Sequence, residues 1–319
     1  MIEEGKCEPN GLPPGENGKG ENKPQAEQLP GWPEYVKASS TLEISKRFSS
    51  EIGEIISKHP ELEAEYCFLF LLSSSGHIGS FDLDQIFNAL RHLNANGEKS
   101  VLLTLLSNGG AIEPAYQISK LCRSFTKKKF IVAIPRQAKS AATLLALGAD
   151  EIHMGSLSQM GPIDPQLGGL PALGVSQALR TMAMVAQEYP GSSDMFARYL
   201  RMALTVEQIG YCERISESAV QYATRLIETK PSMVGRAEPI ANSLVYEYKH
   251  HGFVIDFEEA QKHLGATWII CNSKESLFAE AIYRLYDFVT LFLNVEISKY
   301  IWWTGSFKDT ILVLDLPKS

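Results

Sequence analysis

Residues 100–110 read SVLLTLLSNGG. A short apolar run closed by Ser-Asn-Gly-Gly reads as a strand buried on both faces and a turn beyond it. The next stretch, IEPAYQISKLCRSF (112–125), repeats its apolar residues at helical spacing, with Glu113 and Pro114 suited to a first turn. The same grammar lies on either side. Upstream, CFLFLLSSSG (67–76) predicts a strand and FDLDQIFNALRHL (81–93) a helix. Downstream, KFIVAIP (129–135) predicts a strand, residues 140–148 a helix ending at glycine, and EIHM (151–154) another strand. Strands alternating with helices imply parallel β-α units. A weak internal echo supports a repeat: Gly-x-Ile occurs at 76–78 and at 110–112, each time between strand and helix. Units winding in one direction place these turns along one sheet edge, where α/β proteins build their sites.

Outside this region the character changes. Residues 1–33 hold twelve of the chain's Gly and Pro residues together with scattered charges, which predicts a disordered tail over 1–38. A helix is expected over 40–58. Beyond Gly168, helical periodicity returns over 175–188, 206–228, 257–264 and 275–303, with Pro231 and Pro239 bracketing a loop. This part is expected to pack over the sheet or to form an oligomer interface. The resulting division is a tail (1–38), a main domain (39–270) and a helical C-terminal extension (271–319).

Composition narrows the function. The chain has 319 residues and a net charge of −7, which argues against a general nucleic-acid binder. The basic run Arg123, Lys127, Lys128 and Lys129 reads as a solvated helix end. The N-terminal stretch lacks the apolar core of a signal peptide, and no window reads as a membrane span; Tyr283 to Trp303 is interrupted by Asp287, Glu296 and Lys299. A cytoplasmic location is expected. The five cysteines are widely spaced without C-x-x-C, and no metal site is expected. No G-x-G-x-x-G follows a strand, and no cofactor is expected.

Three stretches on the predicted edge can carry chemistry. In SNGG (107–110), the backbone N–H groups of Gly109 and Gly110 suit an oxyanion, although such a turn is commonly only a turn. In RQAKSAATLLALGADEI (136–152), Ser140 stands at a helix start among small residues, placed either to cap the helix or to act as a nucleophile. In MGPIDPQ (160–166), Asp164 lies between two prolines, as a turn former or as a functional carboxylate.

Taken together, SNGGAIEPAYQIS (107–119), PRQAKSAATLLALGADEIHMG (135–155) and MGPIDPQ (160–166) resemble the serine dehydrogenase proteinase family. That family is related to signal peptide peptidase A and, more distantly, to the Clp protease subunit, within the Clp/crotonase superfamily. HHGFVIDFEEAQKHLG (250–265) resembles its later histidine-containing segment. The resemblance implies a Clp/crotonase-like α/β spiral of β-β-α units, a homo-oligomer, a peptide or protein substrate, Ser140 as nucleophile and an oxyanion hole at Gly109 and Gly110. It leaves the base open. Where the Clp subunit has a histidine this chain has Asp164, and no lysine stands between Ser140 and Lys230 to play the part it plays in the signal peptide peptidases. The candidates are Asp164 and His251, with Lys139 more suited to touching substrate or the Asp150–Glu151 region, and His153, Lys230 and His250 behind them. Three functions compete: a serine peptidase, a catalytically silent oligomeric scaffold that binds a protein partner, and crotonase-type acyl-thioester chemistry.

Overall fold

The structure, a computed structural model, describes residues 31–316 apart from 168, 169, 204, 309 and 310. The first thirty residues of the predicted tail lie outside the described residues. Its last part is a helix, α1 (Trp32–Ala38), which buries Trp32 and Val36. Two more helices follow, α2 (Thr41–Ser57) and α3 (Pro60–Glu65). At the start of α2, Ser40 and Glu43 form a reciprocal capping box, which satisfies two otherwise orphaned N–H groups.

A repeated unit of long strand, short extended piece and helix comes next. The first unit is β1 (Tyr66–Ser73), an isolated bridge at Ile78 and α4 (Ser80–Leu93). The second is β2 (Ser100–Ser107), a bridge at Gly110 and α5 (Ile112–Ser124). The third is β3 (Phe130–Ile134), β4 (Gln137–Ala138) and α6 (Ala141–Ala146). A fourth begins with β5 (Glu151–Met154) and β6 (Gln159–Met160). The two-residue strands β7 (Gln166–Leu167) and β8 (Leu170–Pro171) form a small hairpin. Then come α7 (Ala172–Glu188), α8 (Ser193–Ala203), α9 (Val206–Ile227), α10 (Ala237–Asn242), α11 (Phe257–Leu264), β9 (Ile269–Cys271), α12 (Lys274–Ile297), β10 (Lys299–Gly305) and β11 (Ile311–Asp315).

The long strands lie in the order β11-β10-β1-β2-β3-β5-β9. From β1 to β9 neighbouring strands are parallel; β10 and β11 add antiparallel on the other side. Both faces are buried, which explains the unbroken apolar runs. In β1, Leu69 and Leu71 face a core built with α4, α5, α6 and α9, while Phe68, Phe70 and Leu72 face a second core built with α2 and α12. The short pieces form a second, smaller ladder at the C-terminal edge of the sheet. There Ile78 bridges Gly110, Ser107 pairs with Ala138, Ala138 with Met160 and Met160 with Ile255. The Gly-x-Ile echo thus marks two rungs of one ladder: Ile78 N–H donates to Gly109 O, and Ala111 N–H donates to Ile78 O, both at 2.9 Å.

The C-terminal extension differs from its helical expectation. The helix stops at Ser298, in the left-handed region at φ 55°. Residues 299–305 and 311–315 are strands of the main sheet. Trp303 therefore lies in β10, where it stacks on Phe70 at 4.0 Å and meets Phe48 edge-on at 5.4 Å. In KYIWWTG, the pairing of β10 with β1 overrides the helical periodicity that runs up to it. Pro239 likewise stands inside α10 rather than closing a loop. Its position in the first turn needs no N–H of its own.

Candidate functional site

The small ladder delivers three segments to one place. β2 ends at Ser107 and passes into Gly109 and Gly110, at φ 111° and 152°. A Cβ on Gly109 would lie 2.8 Å from Ser140 Cβ and 2.9 Å from Lys139 O. Only glycine allows the two turns to approach this closely. The Asn108 side chain pins the turn, donating to Ser74 O at 3.1 Å and accepting from Gln137 Nε2 at 2.7 Å.

Ser140 itself is strained, with φ 53° and ψ −120°, a region that residues with a side chain seldom occupy. It precedes α6, yet its side chain makes no capping hydrogen bond. The cap reading therefore has no support in the geometry, and the backbone cost, of order 1–3 kcal/mol for such a residue, is not repaid by a cap. Thr143 in the first turn of α6 fastens this segment to the next: its hydroxyl donates to Ala138 O at 2.7 Å and accepts from Gly161 N–H at 3.2 Å. Gly161 opens the loop that carries Asp164.

Asp164 is 4% exposed. One carboxylate oxygen accepts from Gln166 Nε2 at 3.0 Å, and the other lies 2.5 Å from His251 Nδ1. The residues considered singly for the role of base are thus a pair. Their sequence separation of 87 hid this. The turn at 250–253 is held by the Met160–Ile255 bridge next to it, which brings His251 over the IDP loop. Ser140 and His251 line one cavity of about 400 Å³, together with Asn108, Gly110, Glu113 and Gln166. Its far wall is α9, which contributes Tyr211, Ile215, Ser218 and Tyr222. Ser140 Oγ has no hydrogen-bond partner among the described residues.

The two glycine N–H groups expected to face an oxyanion are engaged differently. Gly109 N–H donates to Ser107 Oγ at 3.1 Å and is engaged there. The N–H groups beside Ser140 with no acceptor among the described residues are those of Gly110, in the bridge, and of Ala141, the first residue of α6. Sequence reasoning passed over Ala141 because a backbone donor carries no side-chain signature. It also passed over the α9 wall, whose spacing announces a helical face without saying what that face meets.

The remaining candidates lie elsewhere. Lys139 is absent from the cavity wall; its side chain packs beside Gly161, and its N–H donates to Ser107 O at 3.0 Å. Nor does it meet the Asp150–Glu151 region, where Arg123 and Lys129 hold the two carboxylates. Lys230 lies at the opposite end of α6, its ammonium donating to Leu147 O at 2.8 Å and standing 4.2 Å over the Trp268 ring. Burial pushes its pKa down to about 7. His153 is buried in β5 between Glu151 and Glu275, 2.6 Å from Ser273 Oγ. His250 is exposed and turned to the Gly252 N–H. Among the described residues, no group of three or more His, Cys, Asp or Glu could hold a metal ion, and no helix is long and apolar enough to cross a membrane.

Two proteins of Methanocaldococcus jannaschii, both described as uncharacterized, are 35% identical over 98 residues and 34% identical over 97 residues. These matches cover 31% and 30% of this chain, which spans about a third of the length of either relative. Among solved structures, the 1510-N membrane-bound stomatin-specific protease aligns over 80% of this chain and 98% of its own, at 15% identity and a TM-score of 0.42. A mutant of it in complex with a substrate peptide aligns over 79% and 88%, with a TM-score of 0.43. ClpP1 from Listeria monocytogenes aligns over 66% and 94%, at 14% identity and a TM-score of 0.37. A family profile described as ClpP-like SDH-type serine proteinase matches residues 76–187. The segment that matches this family model, 76–187, holds the Gly-Gly turn, Ser140 and Asp164.

Proposed function

We propose that the chain is a serine peptidase with Ser140 as nucleophile, His251 as general base and Asp164 as the group that orients the base. The observation that carries this reading is the convergence on one cavity of a strained, uncapped serine and a histidine already paired with a buried carboxylate. Asp164 accepts a hydrogen bond from Nδ1–H, which holds the tautomer whose Nε2 is the basic nitrogen. Nε2 removes the Ser140 hydroxyl proton as Oγ attacks the scissile carbonyl carbon. The negative charge that develops on the carbonyl oxygen is met by the N–H groups of Gly110 and Ala141. His251 then protonates the leaving amine, and water, activated by the same nitrogen, releases the acyl group from Ser140.

The assembly is proposed to be a homo-oligomer. In support, α7 buries only Ala172 and α8 buries none of its residues, while Met195, Tyr199 and Met202 of α8 stand exposed. Of the part beyond Gly168, α9 and α12 pack over the sheet, whereas the exposures of α7 and α8 fit an oligomer interface.

The test is intact-mass labelling with a fluorophosphonate. A single adduct is expected on the wild type and none on Ser140→Ala. On His251→Ala the labelling rate is expected to fall by about a thousandfold or more, as when a triad base is removed. Undiminished labelling of His251→Ala would remove the histidine from the mechanism. A wild type that takes no label would favour the scaffold that binds without cutting.

A further inference from the structure

We infer that Glu113 selects peptides carrying a lysine or arginine side chain close to the scissile bond. The inference rests on the proposal that this cavity binds a peptide.

The length of the cavity points to an extended chain. Tyr211, Ile215, Ser218 and Tyr222 follow one another at i, i+4, i+7 and i+11 along α9, a wall of about 16 Å at 1.5 Å per residue. At about 3.3 Å per residue that wall accommodates roughly five residues of an extended strand. Its surface is largely aromatic and aliphatic, so it can cover apolar side chains and the aliphatic stem of a long cationic one.

The charge of the cavity has one source. Among the described lining residues there is no lysine or arginine, and Glu113 is the one carboxylate. Asp164, beneath the wall, is committed to His251 and Gln166. Glu113 is exposed and has no hydrogen-bond or ion-pair partner among the described residues. It belongs to the first turn of α5. It also follows directly on Gly110, Ala111 and Ile112, so the charge stands three residues from the proposed oxyanion donor. A cationic side chain of a peptide whose carbonyl rests at Gly110 finds its one full counter-charge there. A carboxylate in the same place meets repulsion. Complementarity of this kind governs choice of partner more than raw affinity.

The experiment uses short Ala/Tyr peptides in pairs that differ only by lysine or norleucine at one position, that position being moved through the peptide. Norleucine keeps the stem and removes the charge. Binding is measured on Ser140→Ala, with and without Glu113→Gln or Glu113→Lys, and cleavage on the otherwise native chain. At the favoured position the lysine peptide is expected to bind about fivefold more tightly than its norleucine twin, the upper range for a partly solvated ion pair. Glu113→Gln should bring that ratio to about one, and Glu113→Lys should invert it. A lysine-to-norleucine ratio that ignores Glu113→Gln, or the absence of binding by either peptide, overturns the inference. Cleavage with a ratio that ignores Glu113 would sink the inference and leave the peptidase reading intact. Absence of cleavage and of fluorophosphonate labelling, with a ratio that still follows Glu113, would sink the peptidase reading and leave charge selection standing.

Discussion

Ser140 and Gly109 hold each other in place. The serine occupies a left-sided backbone conformation with ψ −120°, and the glycine's missing Cβ is the space that lets it do so. Gly109→Ala would add a methyl group 2.8 Å from Ser140 Cβ at a backbone φ of 111°, so steric and conformational costs fall on the same turn. The expected outcome is a loss of stability of about 2 kcal/mol or more, read as a lower denaturant midpoint, together with loss of fluorophosphonate labelling. A Gly109→Ala protein that labels at the wild-type rate would show that the close approach is not needed for the serine's geometry. Gly110 is bound by a different constraint, since a Cβ there would run into the Ile78 backbone at 2.3 Å. The two adjacent glycines therefore serve two separate contacts, one with the Ser140 turn and one with the ladder.

At the scale of elements, the packing of α12 against the sheet depends on a buried polar cluster. Glu275 in the first turn of α12 accepts from Tyr66 Oη at 2.8 Å and lies 3.4 Å from His153 Nδ1. Burial alone would raise its pKa, but His153, its own backbone N–H and Tyr66 together hold it down at about 2, against an ordinary 4.5. A carboxyl depressed in the folded state adds stability above its unfolded pKa and loses it as pH falls through the folded one. The contribution of Glu275 is therefore complete above about pH 5 and drains away toward pH 2, with an upper bound of about 3 kcal/mol. Glu275→Gln should be less stable than the wild type at neutral pH, and the gap should close between pH 5 and 2 in urea titrations. A gap that stays constant across that range would mean that the carboxylate contributes through packing alone.

For the whole molecule, the distribution of burial separates a closed body from an open appendage. The sheet is covered on both faces, whereas α7 and α8 leave Met184, Met195, Tyr199 and Met202 exposed, the last at 90%. Exposed apolar side chains also stand on α12, at Leu277, Phe288, Leu291 and Val295, so what sets α7 and α8 apart is how little they bury, and we propose that another molecule covers them. If that molecule is a second copy, Tyr199→Asp with Met202→Asp should lower the mass found by light scattering while leaving the helical circular dichroism unchanged. A wild type that is monomeric at micromolar concentration would dismiss the homo-oligomer.

Much of this architecture was legible in the residues. The apolar runs at 67–72 and 101–106, each closed by serine and glycine, specify strands buried on two faces, and the helical spacing between them specifies the crossovers. Local periodicity is enough there because each element's own side chains decide which faces it buries. The order of the motifs also placed Ser140, Asp164 and the Gly-Gly turn on one edge, since successive parallel units present their turns on the same side. The tertiary structure decided the rest. The pairing of His251 with Asp164 spans 87 residues and depends on the bridge of Ile255 to Met160, a contact no local pattern encodes. Residues 299–305 became a strand because β1 offers an unpaired edge, and Lys230 turned away from the site because it follows α9 to the far end of α6. The sequence by itself determined which segments are strand, turn and helix; which distant side chains meet was decided only when the sheet brought them together, because pairing energy belongs to two segments at once and is written in neither.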